Sequence, residues 1–190
     1  MGRQMSLPSL ESDAPPFELV ALTPRGEERV SLRVLRGRWV VLFFYPADFS
    51  FVCPTEVRGF AAAYDSFRDA GAEVLGVSPD GIDSHRAWSA ELGGIPYPLL
   101  CDTANRIAVE YGATAPGTAR PERATYIIDP AGKVVFVMKV ARNVGRGVDE
   151  TLRVLQALQT GRLCPADWRP GQPTYEAPAV DESTRPETVR

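Results

Sequence analysis

The pattern of apolar and polar positions along the chain predicts alternating strands and helices. FELVAL (17–22) and RVSLRV (29–34) alternate in character on either side of TPRGEE. That two-residue period belongs to half-buried strands and predicts an N-terminal hairpin. WVVLFFYP (39–46) is a continuous apolar run instead, suited to a central strand covered on both faces and stopped by Pro46. In CPTEVRGFAAAYDSFRDAG, Val57, Phe60, Ala61, Tyr64 and Phe67 recur at helical spacing, and Gly71 supplies the stop, so one helix is predicted from Cys53 onward. EVLGVS (73–78) predicts a second buried strand, DSHRAWSAELG a helix capped by Asp83, and PYPLLCD a short strand. Asp102 through Tyr111 predicts an amphipathic helix capped by Asp102 and ended by Gly112. TYIIDPAGKVVFVMKV predicts two antiparallel strands joined by the turn Asp129-Pro130-Ala131-Gly132. From Asp149, the stripe Leu152, Leu155, Leu158 predicts a last long helix up to Thr160-Gly161. This order implies an α/β fold, with helices on both faces of a mixed central sheet. Tyr64, Phe67 and Trp88 are expected in the core.

Composition narrows the class. The 190 residues suit one domain, and the balance of 24 acidic against 21 basic residues, net charge -3, offers no basic footprint for nucleic acid. No apolar run approaches membrane-spanning length, and the opening MGRQMSLPSLESDAPPFEL lacks the apolar core of a signal peptide, so a cytoplasmic protein is expected. The domain is expected over residues 1–168, followed by a Pro-rich, charged arm or tail over 169–190. Cys53, Cys101 and Cys164 are widely spaced and odd in number, which disfavours a disulfide framework. His85 is the sole histidine, so no zinc site is expected, nor any metal or cofactor. Individual thiol chemistry remains.

Of the three thiols, Cys53 has the most informative position. It stands where the loop DFSFV meets the first long helix, with Pro54 at the favoured first position and Glu56 three residues on. Free backbone N–H groups and the positive end of the helix dipole favour an anion there, hence the thiolate over the thiol. A helix-start cysteine alone is as readily a small buried apolar residue. Its neighbours decide.

FYPADFSFVCPTE resembles the peroxiredoxin signature, in which Pro-x-x-x-Thr/Ser-x-x-Cys precedes the helix; here the residues are Pro46, Ser50 and Cys53. The resemblance implies that Cys53 is the peroxidatic cysteine, that the Ser50 hydroxyl holds the peroxide and that Pro46 shields the sulfur. PERATYIIDP is similar to the segment bearing the family's site arginine, which implies that role for Arg123. VGRGVDETLRVLQALQ places a second arginine at Arg146, and Glu56 fits the acidic residue one turn into the helix. GRLCPADWRPG resembles the segment of typical two-cysteine members that carries the resolving thiol. That implies a homodimer in which Cys164 of the partner subunit condenses with the Cys53 sulfenic acid. Further implications are a thioredoxin-like fold with an N-terminal β-hairpin, hydroperoxides as substrates, thioredoxin or a flavoprotein disulfide reductase as reductant, and decamers built from dimers. The similarity runs from about Phe17 to Trp168.

The chemistry needs those residue types whatever the family. A thiolate that breaks an O–O bond requires in-line approach and donors for the departing oxygen, which a guanidinium and a hydroxyl supply. Where readily overoxidised members carry Gly-Gly-Leu-Gly and a C-terminal Tyr-Phe pair, this chain has Gly93-Gly94-Ile95-Pro96 and Tyr175 alone. A peroxidase that resists overoxidation is therefore expected. Cys101 is expected to be an unreactive core thiol and His85 a solvated helix residue. Alternatives to the two-cysteine reading are a one-cysteine peroxidase with Cys164 incidental, a holdase chaperone and, weakest, a cysteine hydrolase with His85 as base.

Overall fold

The computed structural model describes residues 8–114, 117–141 and 143–176. The first seven residues and 177–190, the greater part of the expected tail, lie outside the described residues. The chain divides into two compact units, Met1–Asp149 and Glu150–Arg190. The sheet and its core belong to the first.

Seven strands form one mixed sheet: β1 (Glu18–Thr23), β2 (Gly26–Ser31), β3 (Trp39–Phe44), β4 (Ala72–Ser78), β5 (Leu99–Cys101), β6 (Arg123–Ile128) and β7 (Val134–Val140), in the order β2-β1-β5-β4-β3-β6-β7. β3 lies near the middle, parallel to β4 and antiparallel to β6, which is why its apolar run is unbroken: Val40 through Phe44 are all buried. Between β3 and β4 run α1 (Cys53–Ala62) and α2 (Tyr64–Asp69), α2 packing on β4. α3 (Ile82–Glu91) packs on β1, α4 (Arg106–Glu110) precedes β6, and α5 (Val148–Gln159) follows β7.

Several local expectations needed adjustment. The hairpin turn is tighter than TPRGEE implies: Arg25 N–H donates to the Thr23 hydroxyl, which donates to Gly26 O, and Gly26 at φ 117 takes a conformation open to glycine. β2 therefore starts at Gly26, and Leu32–Leu35 form a 3₁₀ turn whose Arg33 N–H is capped by Ser31. The first long helix breaks at Ala63, where ψ is 1°. Asp83 lies inside the first turn of α3; the cap residue is Gly81. Asp102 does not cap α4 either. Its carboxylate accepts the Ala108 N–H at 2.8 Å, the chain turns through Asn105 at φ 52, and the helix begins only at Arg106. The Asp129–Gly132 turn is as expected, closed by Gly132 N–H to Asp129 O at 2.8 Å. Phe67 and Trp88 are fully buried, whereas Tyr64 is half-buried.

In the second unit the chain folds back after α5. Leu163 and Tyr175 exchange backbone hydrogen bonds at 2.9 and 3.1 Å, and Trp168 Nε1 donates to Gln172 O at 3.0 Å.

Candidate active site

The register of the sheet builds the site. Because Phe44 pairs with Ala124, the start of β6 lies beside the end of β3, where the chain leaves through Tyr45 and Pro46 toward α1. Cys53 is the first residue of α1 and fully buried, and Arg123 is the first of β6. Arg123 Nη1 lies 3.2 Å from Cys53 Sγ. The same nitrogen donates to Glu56 Oε2 at 2.5 Å. Arg146 grips the other side of that carboxylate: its backbone N–H and Nε both reach Oε1 at 2.8 Å, and Nη2 reaches Oε2 at 3.0 Å. Arg146 is fixed in turn by Ala124 O at 2.8 Å and the Thr125 hydroxyl at 3.3 Å, with its guanidinium carbon 5.2 Å from the Phe43 ring centroid.

These four side chains are almost entirely withdrawn from water: Cys53 0%, Glu56 2%, Arg123 3% and Arg146 6% exposed. Two guanidiniums and one carboxylate leave one positive charge, which a negative sulfur balances, and buried charges are tolerable only when paired in this way. Burial pushes the Glu56 carboxyl up, but the hydrogen bonds and charge of Arg146, with the charge of Arg123, hold it below the ordinary glutamate value. Glu56 therefore stays ionised and anchors both arginines.

The loop before α1 completes the site. Ser50 Oγ accepts the Cys53 N–H at 3.3 Å, doing what a side-chain cap would do for this helix, whose cap residue Val52 has none. Pro46 is buried directly after β3. The structure thus brings Pro46, Ser50, Cys53 and Glu56 together on one loop and helix, with Arg123 and Arg146 converging on Glu56. Cys164 belongs to the second unit. It is half-buried after α5, with Sγ 3.4 Å from the Thr160 hydroxyl and 3.7 Å from Ala157 O. All three cysteines are free.

Two expectations change here. His85 is not solvated: it is fully buried, and its Nδ1 lies 2.9 Å from Asp48 Oδ2. Amphipathic spacing places it on the inner face of α3 beside Trp88, a signal that its polarity obscured. Cys101 ends β5 half-buried rather than enclosed. Sequence reasoning also missed Thr125, whose alternation along β6 reads only as a strand position, and Asp48, whose neighbours carry the signature.

The sequence model of the AhpC/TSA family matches residues 10–137. The chain is 47% identical over 170 residues to YkuU of Bacillus subtilis, covering 85% of this chain and 94% of that one. It is 45% identical over 145 residues to alkyl hydroperoxide reductase C of Mycobacterium tuberculosis, covering 74% and 73%. The crystal structure of the reduced 2-Cys peroxiredoxin of Plasmodium vivax superposes with a TM-score of 0.82 at 33% identity, over 87% of this chain and 91% of the other. With its thioredoxin-like fold and its buried thiol, the chain belongs to the AhpC/TSA family, the peroxiredoxins, and is a thiol-dependent peroxidase. No helix among the described residues is long and apolar enough to cross a membrane.

Proposed function

We propose that the protein reduces hydrogen peroxide and organic hydroperoxides through Cys53 as part of antioxidant defence. The observation that carries this reading is the Arg123 guanidinium 3.2 Å from a fully buried sulfur at a helix start. In the first step the Cys53 thiolate attacks one peroxide oxygen. The S–O bond forms as the O–O bond breaks, and the departing alkoxide or hydroxide takes up a proton, leaving a sulfenic acid and an alcohol or water. Arg123 and the Ser50 hydroxyl stabilise the charge moving onto the departing oxygen, Pro46 keeps water from the sulfur, and Glu56 with Arg146 holds Arg123 in place. In the second step Cys164 of the partner subunit condenses with the sulfenic acid, forming a disulfide and releasing water.

That exchange needs a homodimer, and family membership supports decamers built from such dimers as a higher assembly. Thioredoxin or a flavoprotein disulfide reductase regenerates the thiols. Three free cysteines suit a reducing compartment, the cytoplasm. Disulfide geometry requires α-carbons within about 7 Å, so the start of α1 loosens before the two sulfurs meet. The short Gly93-Gly94-Ile95-Pro96 loop supports a fast opening and resistance to overoxidation.

Stopped-flow reduction of peroxide tests the reading. Single-turnover reaction is expected to survive Cys164→Ser and to vanish in Cys53→Ser. Peroxide should give a dimer on non-reducing gels that depends on Cys164; a dimer absent from wild type as well would favour the one-cysteine mechanism.

A further inference from the structure

We propose that Asp48 and His85 are positioning residues of the peroxidase reaction, clamping to α3 the turn that carries Pro46 and Ser50 so that Ser50 meets the start of α1. The proposal rests on the reading of Cys53 as nucleophile and adds two residues to its machinery.

Both carboxylate oxygens of Asp48 and its backbone N–H are committed. Oδ1 accepts the Tyr45 hydroxyl at 2.9 Å, and Oδ2 accepts the Ser84 hydroxyl at 2.8 Å and His85 Nδ1 at 2.9 Å. Its backbone N–H donates to Asp80 Oδ2 at 2.8 Å, an oxygen also held by the Ser78 hydroxyl at 2.7 Å. Both side chains of the Asp48–His85 pair are wholly buried. On its far side His85 Nε2 faces the Leu100 carbonyl at 3.4 Å. A carboxylate can only accept, so Nδ1 carries a proton, and a second proton on Nε2 has the Leu100 carbonyl as its acceptor. Its titration agrees with that geometry. Burial would push it down, but the bond and charge of Asp48, with the contact to Cys101, push it up to about 10. Tyr45 is likewise kept protonated by burial and by the charge of Asp48, so it remains a donor.

The turn needs such a clamp. Phe49, next to Asp48, has φ 50, a left-handed conformation that a bulky residue adopts only under constraint. The half-exposed Phe49 ring meets Trp88 of α3 at 6.3 Å between centroids, an apolar contact that gives the turn no hydrogen bond. The anchor is therefore Asp48 on one side, while on the other the strained turn delivers Ser50 to the Cys53 N–H. Tyr45 stacks on Trp88 at 5.7 Å, so α3 holds the entrance to the turn as well.

The test compares His85→Leu, His85→Asn and Ser84→Ala with wild type in two measurements. One is the second-order rate of hydroperoxide reduction. The other is alkylation of the Cys53 peptide by a bulky maleimide, quantified by mass spectrometry, while near-UV circular dichroism monitors the folded fraction. Losing a buried, charge-assisted bond is expected to slow peroxide reduction by about tenfold or more in His85→Leu and to speed Cys53 alkylation by a similar factor. His85→Asn, whose amide N–H replaces the Nδ1 donor, should recover most of both. Ser84→Ala should move both rates in the same directions by about threefold, and it supplies the readout if His85→Leu does not fold. Rates that stay unchanged, or that fall together with the folded fraction, overturn the clamp. Peroxide reduction at wild-type speed in Cys53→Ser would instead overturn the reading beneath it.

Discussion

Cys53 and Cys164 each sit against the end of a helix, and they meet opposite ends. Cys53 opens α1, where the positive end of the helix dipole and a guanidinium 3.2 Å away lie beside the sulfur. Cys164 follows α5, where it meets the Ala157 carbonyl at 3.7 Å and a hydroxyl that itself donates to that carbonyl. The first setting favours negative charge on sulfur, while the second offers acceptors to an S–H. The two thiols thus meet opposite polarities of one element type, a contrast that fits the proposed division between an attacking and a resolving sulfur. The same contrast appears in burial: Cys53 is fully enclosed, whereas Cys164 is half-open.

The comparison can be broken most forcefully at Cys53 itself. Cys53→Ser should lower the peroxide rate by at least about a thousandfold, whereas Cys164→Ser should leave the first turnover unchanged, both read by stopped-flow. Next in size, Arg123→Met removes the donor on sulfur while preserving bulk. A loss of roughly a hundredfold or more in the peroxide rate is expected, with little change in Cys164-dependent steps.

A third measurement concerns stability against pH. The Glu56 carboxyl is held below its ordinary value of 4.5, so its contribution is complete above that pH and is lost as the pH falls through the folded value. His85 is raised from 6.5 to about 10, so its contribution is complete below 6.5 and is lost as the pH rises through about 10. Urea unfolding should therefore show a plateau between about 4.5 and 6.5 that falls away on both sides. Glu56→Gln should remove the acid limb and cost about 3 kcal/mol on the plateau, because two buried arginines lose their counter-charge. The smallest effect is expected at Thr160→Val, which removes the hydroxyl beside Cys164. Disulfide formation should change by no more than about threefold and the peroxide step not at all, as followed on quenched non-reducing gels.

Much of the fold and of the site is legible in the sequence. Periodicity locates β3 and β6, which are buried on both faces, and β1, but it shifts β2: half of the span expected at 29–34 folds as the 3₁₀ turn Leu32–Leu35. Cys53, Ser50 and Pro46 were readable because they share one short segment. What the sequence concealed was set by tertiary contact. Nothing local says that Arg146 grips Glu56, since ninety positions separate them. The start of α4 is displaced because the Asp102 carboxylate takes the more distant Ala108 N–H. His85 is concealed by the same kind of tertiary contact: a lone histidine reads as a surface residue, whereas its burial follows from the Asp48 carboxylate 2.9 Å away.

The reactive centre joins residues seventy positions apart, Cys53 and Arg123, through the pairing of β3 with β6. During synthesis the sulfur therefore emerges long before the guanidinium that serves it. Until β6 pairs with β3 the sulfur has no guanidinium beside it, so the 3.2 Å contact is a property of the closed sheet and of no shorter segment.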